Sequence, residues 1–368
     1  MPESTSSSPP EHLWAVVLAG GVGSRFWPVS TPTLPKQLLA LAGDEPLIAQ
    51  TLRRIQPIVR SGRTLVLTGA HLVAPIRAAV AGLERDAFLL EPRARGTAPV
   101  LVWAAHEIAK RDPDAVMASV HADHVIQPEE SFRRQIVDAA ALASATGRLV
   151  TIGIEPTRPE TGYGYIDVGE ELRDSGIRNP ETGNRKPESA FGVREFVEKP
   201  DRATAERYLA SGYLWNSGLF VWRATALLDE VRAHTPELAS LLPLLDAGDV
   251  AGFFDAAPIL SIDEGVLERS ERVAVVRATF RWDDVGAWDA VARTLPADGR
   301  GNVAHGAAYA IDSDGCIAWS DDAPIVLFGA RDLVVVRTRE LTLIMPRERA
   351  ADLKQLLESL PAELKELE

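Results

Sequence analysis

The sequence predicts an α/β fold: a mixed, mostly parallel sheet flanked by helices, then a small C-terminal β domain and a terminal helix. Three observations carry that expectation. From residue 14 to about 155, short β-branched runs alternate with longer amphipathic ones. The first run breaks directly into glycines, and ligands of such sheets sit at the carboxyl ends of strands. After residue 300 the pattern changes to short apolar runs separated by Asp/Ser/Gly turns.

In chain order, residues 1–12 read as a polar, Ser/Pro-rich disordered tail. Strands are predicted at 14–19, 64–68, 87–90, 115–120 and 148–154, with helical spacing over 47–58, 72–81, 98–110 and 132–145. Two strands, 163–168 and 191–197, flank a polar insert at 174–189 that reads as a surface loop. Helices are predicted at 202–211, 224–234, 236–247 and 261–270, and strands at 217–222 and 272–277. Pro296, Gly299 and Gly301 place a boundary there, giving a main domain over 13–297 and a small β-helix-like domain over 298–368. Its last stretch, 347–367, has Leu353, Leu356, Leu357, Leu360, Leu364 and Leu367 along one helical side.

Composition narrows the function classes. A net charge of −13 argues against a nucleic-acid partner held by electrostatics, and requires any polyanion site to be made locally positive. The single cysteine, Cys316, allows no intrachain disulfide and reads as a small buried hydrophobe. No run of about 18 apolar residues exists and the N-terminus lacks an apolar signal core, so no membrane association and a cytoplasmic location are expected.

The chemistry concentrates in a few stretches. Residues 14–37 read WAVVLAGGVGSRFWPVSTPTLPKQ. Glycines let backbone N–H groups approach a ligand, and consecutive N–H groups form a concave anion site. Arg25 adds a fork-shaped donor and Lys36 a point charge, which together suit phosphates. There is no GxxxxGK[ST], and the spacing of GxGxxG is absent, so neither a P-loop nor a dinucleotide fingerprint is present. EPRARGTAPV at 91–100 is a strand end, a turn and a helix start, whose free N–H groups suit a base carbonyl or a phosphate. HADH at 121–124 follows an apolar run and puts Asp123 at a strand end, where a Mg²⁺ carboxylate belongs; His121 and His124 read as structural, since two histidines three apart make a weak zinc signal. WDDVGAW at 282–288 offers a second carboxylate. ETGYGY at 160–165, FVEKP at 196–200 and WNSG at 215–218 supply close-approach glycines, a carboxylate, a lysine and an amide.

LAGGxGxR followed by PK resembles the signature of the sugar-1-phosphate nucleotidyltransferases. The RFWP, PKQ, TAP, ETGYGY and DVGAW variants resemble the mannose-1-phosphate guanylyltransferase branch, over about residues 14–360. The resemblance implies a Rossmann-like nucleotidyltransferase fold and transfer of GMP from GTP to α-D-mannose 1-phosphate, giving GDP-mannose and pyrophosphate. It implies that Leu18, Ala19, Gly20, Gly21, Gly23 and Ser24 contact the nucleotide, and that Glu91, Arg95, Thr97 and Pro99 serve the base. Gly162, Tyr163, Gly164, Glu198, Asn216 and Gly218 would line the sugar side. Arg25, Lys36 and Lys199 would handle phosphates, and Asp123 and Asp284, not Asp283, would hold Mg²⁺. Position 96 departs from the pattern: Gly stands where the branch has Asn. Another sugar 1-phosphate (heptose or glucose), another NTP, or a non-catalytic GDP-mannose-binding regulatory subunit therefore stay open as alternatives. The β segment and leucine stripe are material for a homodimer. The isomerase domain of the longer bifunctional members is not expected.

Overall fold

A computed structural model describes residues 9–21, 23–172 and 189–365. All but the last residue of the insert read as a surface loop, together with Leu367 and most of the N-terminal tail, lie outside those residues. The main sheet has nine strands in the order β3-β2-β1-β4-β9-β6-β10-β8-β7. In chain order these are β1 (Leu13–Leu18), β2 (Thr64–Thr68), β3 (Phe88–Leu90), β4 (Val116–His121), β6 (Leu149–Ile154), β7 (Tyr165–Glu171), β8 (Ala190–Val197), β9 (Leu214–Arg223) and β10 (Val273–Arg277). Pairing is parallel throughout the β3-β2-β1-β4 half and again between β6 and β10. The other pairs, with β9 at their centre, are antiparallel, so the sheet is mixed.

Helices cover both faces, chief among them α1 (Leu47–Ile55), α2 (Val73–Ala79), α3 (Thr97–Arg111), α4 (Glu129–Thr146), α5 (Arg202–Ala210) and α6 (Ala224–His234). β1 shows why its sequence is continuously apolar. Leu13, Ala15 and Val17 belong to the core on one face of the sheet, and Trp14 and Val16 to the core on the other. The expected helix at 236–247 is two short pieces, Pro236–Ala239 and Leu242–Asp246, and 261–270 contains a single π turn, Asp263–Leu267.

Two strands that the sequence pattern does not reveal position the site. β5 (Val125–Gln127) and β11 (Arg281–Asp283) form a small antiparallel ribbon, with Trp282 opposite Ile126 and Asp283 opposite Val125. This ribbon draws the HADH turn and the DVGAW turn together from distant parts of the sequence.

The C-terminal sheet runs β12 (Val303–Ile311), β13 (Ile317–Phe328), β14 (Leu333–Arg337) and β15 (Thr342–Pro346), parallel for the first three strands and antiparallel for the last. The terminal helix is broken. A 3₁₀ turn, Arg347–Asp352, precedes Leu353–Ser359, and Pro361 separates that from Ala362–Lys365, because the residue before proline is pushed out of helical geometry. Leu353 is buried and Leu357 and Leu360 pack beside it, while Leu356 and Leu364 face solvent. This terminal segment and the C-terminal sheet share one core with the main domain: Phe26, Trp27 and Leu41 meet Val285 and Trp288, and these meet Val303, Ile317, Trp319 and Val334.

Candidate active site

β1 and β4 are parallel neighbours with Leu18 opposite His121, so the glycine turn and the HADH turn emerge side by side. β2 lies on the far side of β1, which makes this gap the topological switch point of the parallel half, where such sheets hold ligands. A cavity of about 300 Å³ opens there, lined by Leu18, Ala19, Gly20, Gly21, Glu91, Gly96, Thr97 and Asp123 among others. A second, of about 850 Å³, is lined by Arg25, Gly162, Tyr163, Asp284 and Gly286 and by Arg331 and Arg347 of the C-terminal domain.

Lys36 links the two. It is buried, and its Nζ donates to Asp123 Oδ2 at 2.8 Å and to the backbone carbonyl of Asp284 at 2.5 Å. Gly23 makes this possible: it sits at φ 69°, and a Cβ there would lie 2.2 Å from Lys36 Cβ. Ser24 opens the 3₁₀ turn that carries Arg25, whose guanidinium donates to the Gly286 carbonyl at 3.3 Å. Burial is the largest single influence on the Asp123 carboxyl and pushes it up, but the charge and hydrogen bond of Lys36 together with His124 and His121 outweigh it and hold the group well below the usual carboxylate range.

Asp284 is set differently. Burial raises its carboxyl above the usual range against the pull of Lys36, and its Oδ1 accepts the Tyr163 hydroxyl. Tyr163 is clamped edge-on between Trp215 and Trp282, with centroids 5.1 and 5.3 Å away. The neighbouring Asp283 is structural: its carboxylate accepts from Val285 N at 2.8 Å and pairs with Arg293 at 2.6 Å. That bond caps a turn in which Val285 takes φ 48°, an unusual conformation for a β-branched residue.

The donor set suits a hard cation. Lys36 holds the half-buried Asp123 carboxylate and the backbone of Asp284, whose own half-buried carboxylate faces Tyr163, and Mg²⁺ takes one or two carboxylates with water and phosphate oxygens. His121, Asp123 and His124 also place one donor atom each within 4.8 Å of one another. The His124 Nδ1, however, accepts the Trp282 indole N–H at 3.1 Å, and the two imidazoles stack at 4.5 Å. Burial lowers both histidines below their ordinary range.

The sugar-side stretches converge. Asn216 N donates to the Gly164 carbonyl at 2.8 Å and Lys199 N to the Tyr163 carbonyl at 3.2 Å. A Cβ on Gly164 would come within 2.7 Å of Glu198 Oε2, and one on Gly218 within 2.7 Å of His121 Nε2. Lys199 Nζ pairs with Glu198 in this state. Gly162 N donates to Glu160 at 3.1 Å.

On the base side, two expected contacts have other partners. The Arg95 guanidinium donates to the Phe254 and Asp255 carbonyls at 2.9 and 3.2 Å, which turns it away from the 91–97 loop, and the Pro99 ring is buried in the first turn of α3. Gly96 sits at φ 84° and ψ −178°, with the Leu260 carbonyl where a Cβ would go. Three residues outside the expected set also shape the site. Gln37, in the PKQ motif, donates to the Ala19 carbonyl at 2.9 Å, buried Arg54 holds the His124 carbonyl at 3.1 Å, and Asp263 accepts from Asn216. Only Gln37 had a motif to flag it.

The nucleotidyl transferase family profile matches residues 14–299, and that of the MannoseP isomerase/GMP-like β-helix domain matches 306–360. Alginate biosynthesis protein AlgA of Pseudomonas aeruginosa is 35% identical over 95% of this chain and 72% of its own length. A mannose-1-phosphate guanylyltransferase of Klebsiella pneumoniae is 36% identical over 95% of this chain and 74% of its own. The crystal structure of mannose-1-phosphate geranyltransferase from Thermus thermophilus superposes with a TM-score of 0.83 at 32% identity, covering 94% of this chain and 98% of that one. With a glycine turn, a lysine-bridged aspartate pair and a β-helix-like appendage in the regions that these profiles and relatives cover, the chain belongs to the nucleotidyl transferase family.

Proposed function

We propose that the protein transfers GMP from GTP to the phosphate of α-D-mannose 1-phosphate, releasing GDP-mannose and pyrophosphate. The observation that carries this reading is Lys36, fixed between Asp123, which lines one cavity, and Asp284, which lines the other. The names of the relatives support the choice of sugar and base.

The attacking oxygen of the sugar phosphate is already anionic near neutral pH and needs no general base. It attacks the α-phosphorus in line; a P–O bond forms to the sugar phosphate, and the bond to the β-phosphate breaks with its electron pair leaving on pyrophosphate. Both partners are polyanions, so positioning and charge neutralisation dominate the barrier. Arg25 and the glycine-turn backbone hold the departing phosphates, Lys36 spans the nucleotide phosphates, and Lys199 leaves Glu198 to anchor the sugar phosphate. Leu18, Ala19, Glu91 and Thr97 hold the nucleoside. Glu198, Asn216 and the glycines 162, 164 and 218 hold the sugar. Mg²⁺, when bound by Asp123 and Asp284, neutralises the phosphate oxygens.

The reading includes a homodimer built through the C-terminal sheet, supported by exposed Tyr309, Ile311, Val326 and Phe328 on adjacent β12 and β13. Sedimentation of the purified chain tests that part. The chemistry is tested by pyrophosphate release with Mg²⁺ over four NTPs against mannose, glucose and heptose 1-phosphates. A dominant GTP–mannose 1-phosphate pair is expected; a dominant pair elsewhere moves the substrate, and binding of GDP-mannose without turnover overturns the enzyme reading.

A further inference from the structure

Residues 260–263 run from the base side of the cleft to its sugar side. Leu260 N donates to the Arg95 carbonyl at 2.9 Å, and the Leu260 carbonyl accepts from Ala98 N at 3.1 Å. Ile262 N donates to Thr97 Oγ1 at 2.8 Å. One residue on, Asp263 Oδ1 accepts from Asn216 Nδ2 at 2.8 Å.

The opposite end of the Asn216 amide is equally engaged. Its Oδ1 accepts from Thr151 Oγ1 at 3.1 Å and from Gly218 N at 3.2 Å. This pattern defines the amide orientation. A flip would put Oδ1 against the carboxylate and Nδ2 against the Gly218 N–H, losing both contacts. Asp263 also opens the π turn, which Thr235 secures by donating to the Gly265 carbonyl at 2.5 Å; such turns recur at functional sites. Burial, with Glu198 nearby, pushes the Asp263 carboxyl up to about 7, so an ionised group here is held at a cost to the fold.

We propose that Asp263 is a positioning residue for the sugar phosphate: it fixes the Asn216 amide so that Asn216 offers the sugar its second N–H as a donor and no acceptor. The proposal rests on the reading of Asn216 as a sugar contact. It assigns Asp263 to sugar affinity, although its own segment is hydrogen-bonded to the base loop.

The test is a separate determination of KM for each substrate and of kcat, on wild type, Asp263→Ala, Asp263→Asn and Thr151→Val. Wild type is assayed first. If it uses a sugar 1-phosphate other than mannose 1-phosphate, the proposed substrate fails and the comparison proceeds with the sugar it does use. Asp263→Ala is expected to raise the sugar-phosphate KM about tenfold, the loss of one hydrogen bond from a half-buried pair, with the GTP KM and kcat within about threefold of wild type. Asp263→Asn keeps an oxygen for Asn216 Nδ2 and is expected to stay within about threefold on both KM values. If Asp263→Ala fails to fold, Thr151→Val removes a donor from the other end of the same amide and is expected to raise the sugar-phosphate KM alone, by about three- to tenfold. An unchanged sugar-phosphate KM in these variants overturns the proposal. So does an equal rise in both KM values, or an Asp263→Asn as damaging as Asp263→Ala, which would show that the charge itself meets the substrate.

Discussion

Lys36 donates to Asp123 across 2.8 Å from a position almost wholly out of solvent, while the aspartate side chain keeps 30% of its exposure. The ammonium is thus both a candidate phosphate ligand and the counter-charge that lets Asp123 stay ionised. Lys36→Met is expected to lower kcat by about 10²–10³. It is also expected to destabilise the fold by about 1–3 kcal/mol, less than a fully buried pair because Asp123 is partly hydrated. The folded-state pKa of Asp123 is depressed, so this contribution is fully present above the ordinary carboxylate range and is lost progressively as pH falls from that range toward the depressed folded value. Urea denaturation at pH 7 and again below pH 4 is expected to show the gap between wild type and variant closing.

The Tyr163 hydroxyl donates to Asp284 Oδ1 and accepts from the Arg158 guanidinium at 3.4 Å. Tyr163→Phe leaves both tryptophan contacts in place and removes the donor to Asp284, while Arg158 keeps its pairing with Glu160. Loss of such an orienting partner typically costs about 10–100-fold in metal affinity, and that is the expected loss for Mg²⁺. Mn²⁺ binding followed by electron paramagnetic resonance reads it without turnover.

Gly96 occupies a backbone region essentially reserved for glycine, and the Leu260 carbonyl oxygen lies 2.4 Å from where a Cβ would be. An Asn at this position is therefore expected to harm this chain. Gly96→Asn should lose about 1–3 kcal/mol of stability and raise the KM for GTP, measured by thermal melts and initial rates.

Asp263 gives a pH signature opposite to that of Asp123. Its folded-state pKa is raised to about 7, so its ionisation subtracts stability as pH climbs from the ordinary carboxylate range toward and past 7. Glu198, Glu268 and Lys199 are the charged groups that bear on it, and Asn216 is its hydrogen-bond partner. Asp263→Asn is expected to melt above wild type at pH 8, by a smaller margin at pH 5, and level with it only at or below the ordinary carboxylate range.

Much of this was legible in the sequence because it depends on local chemistry. The glycine turn, the HADH and DVGAW turns and the stretches around Tyr163, Glu198 and Asn216 are contiguous motifs, and the first two leave the parallel strands β1 and β4 side by side, where parallel-sheet topology directs strand ends. The Asp123–Asp284 approach could not be derived from spacing, since it rests on a ribbon of two three-residue strands too short to leave a periodic trace. Arg54 and Asp263 escaped for a related reason: each gains its role from a partner 70 or 47 positions away. Arg95 illustrates the converse, a motif residue whose guanidinium the tertiary structure directs to two carbonyls of the segment after α6.

The aromatic residues of the phosphate turn have a second allegiance. Phe26 packs on Trp288 at 5.2 Å, Trp288 donates its indole N–H to the Trp27 carbonyl, and Trp319 of the C-terminal sheet closes the stack at 5.5 Å. What looks in the sequence like a tail domain is therefore the floor on which the glycine turn and its Arg25 stand. Anyone trimming this chain to a minimal catalyst, or grafting its nucleotide loop onto another scaffold, must carry that floor along.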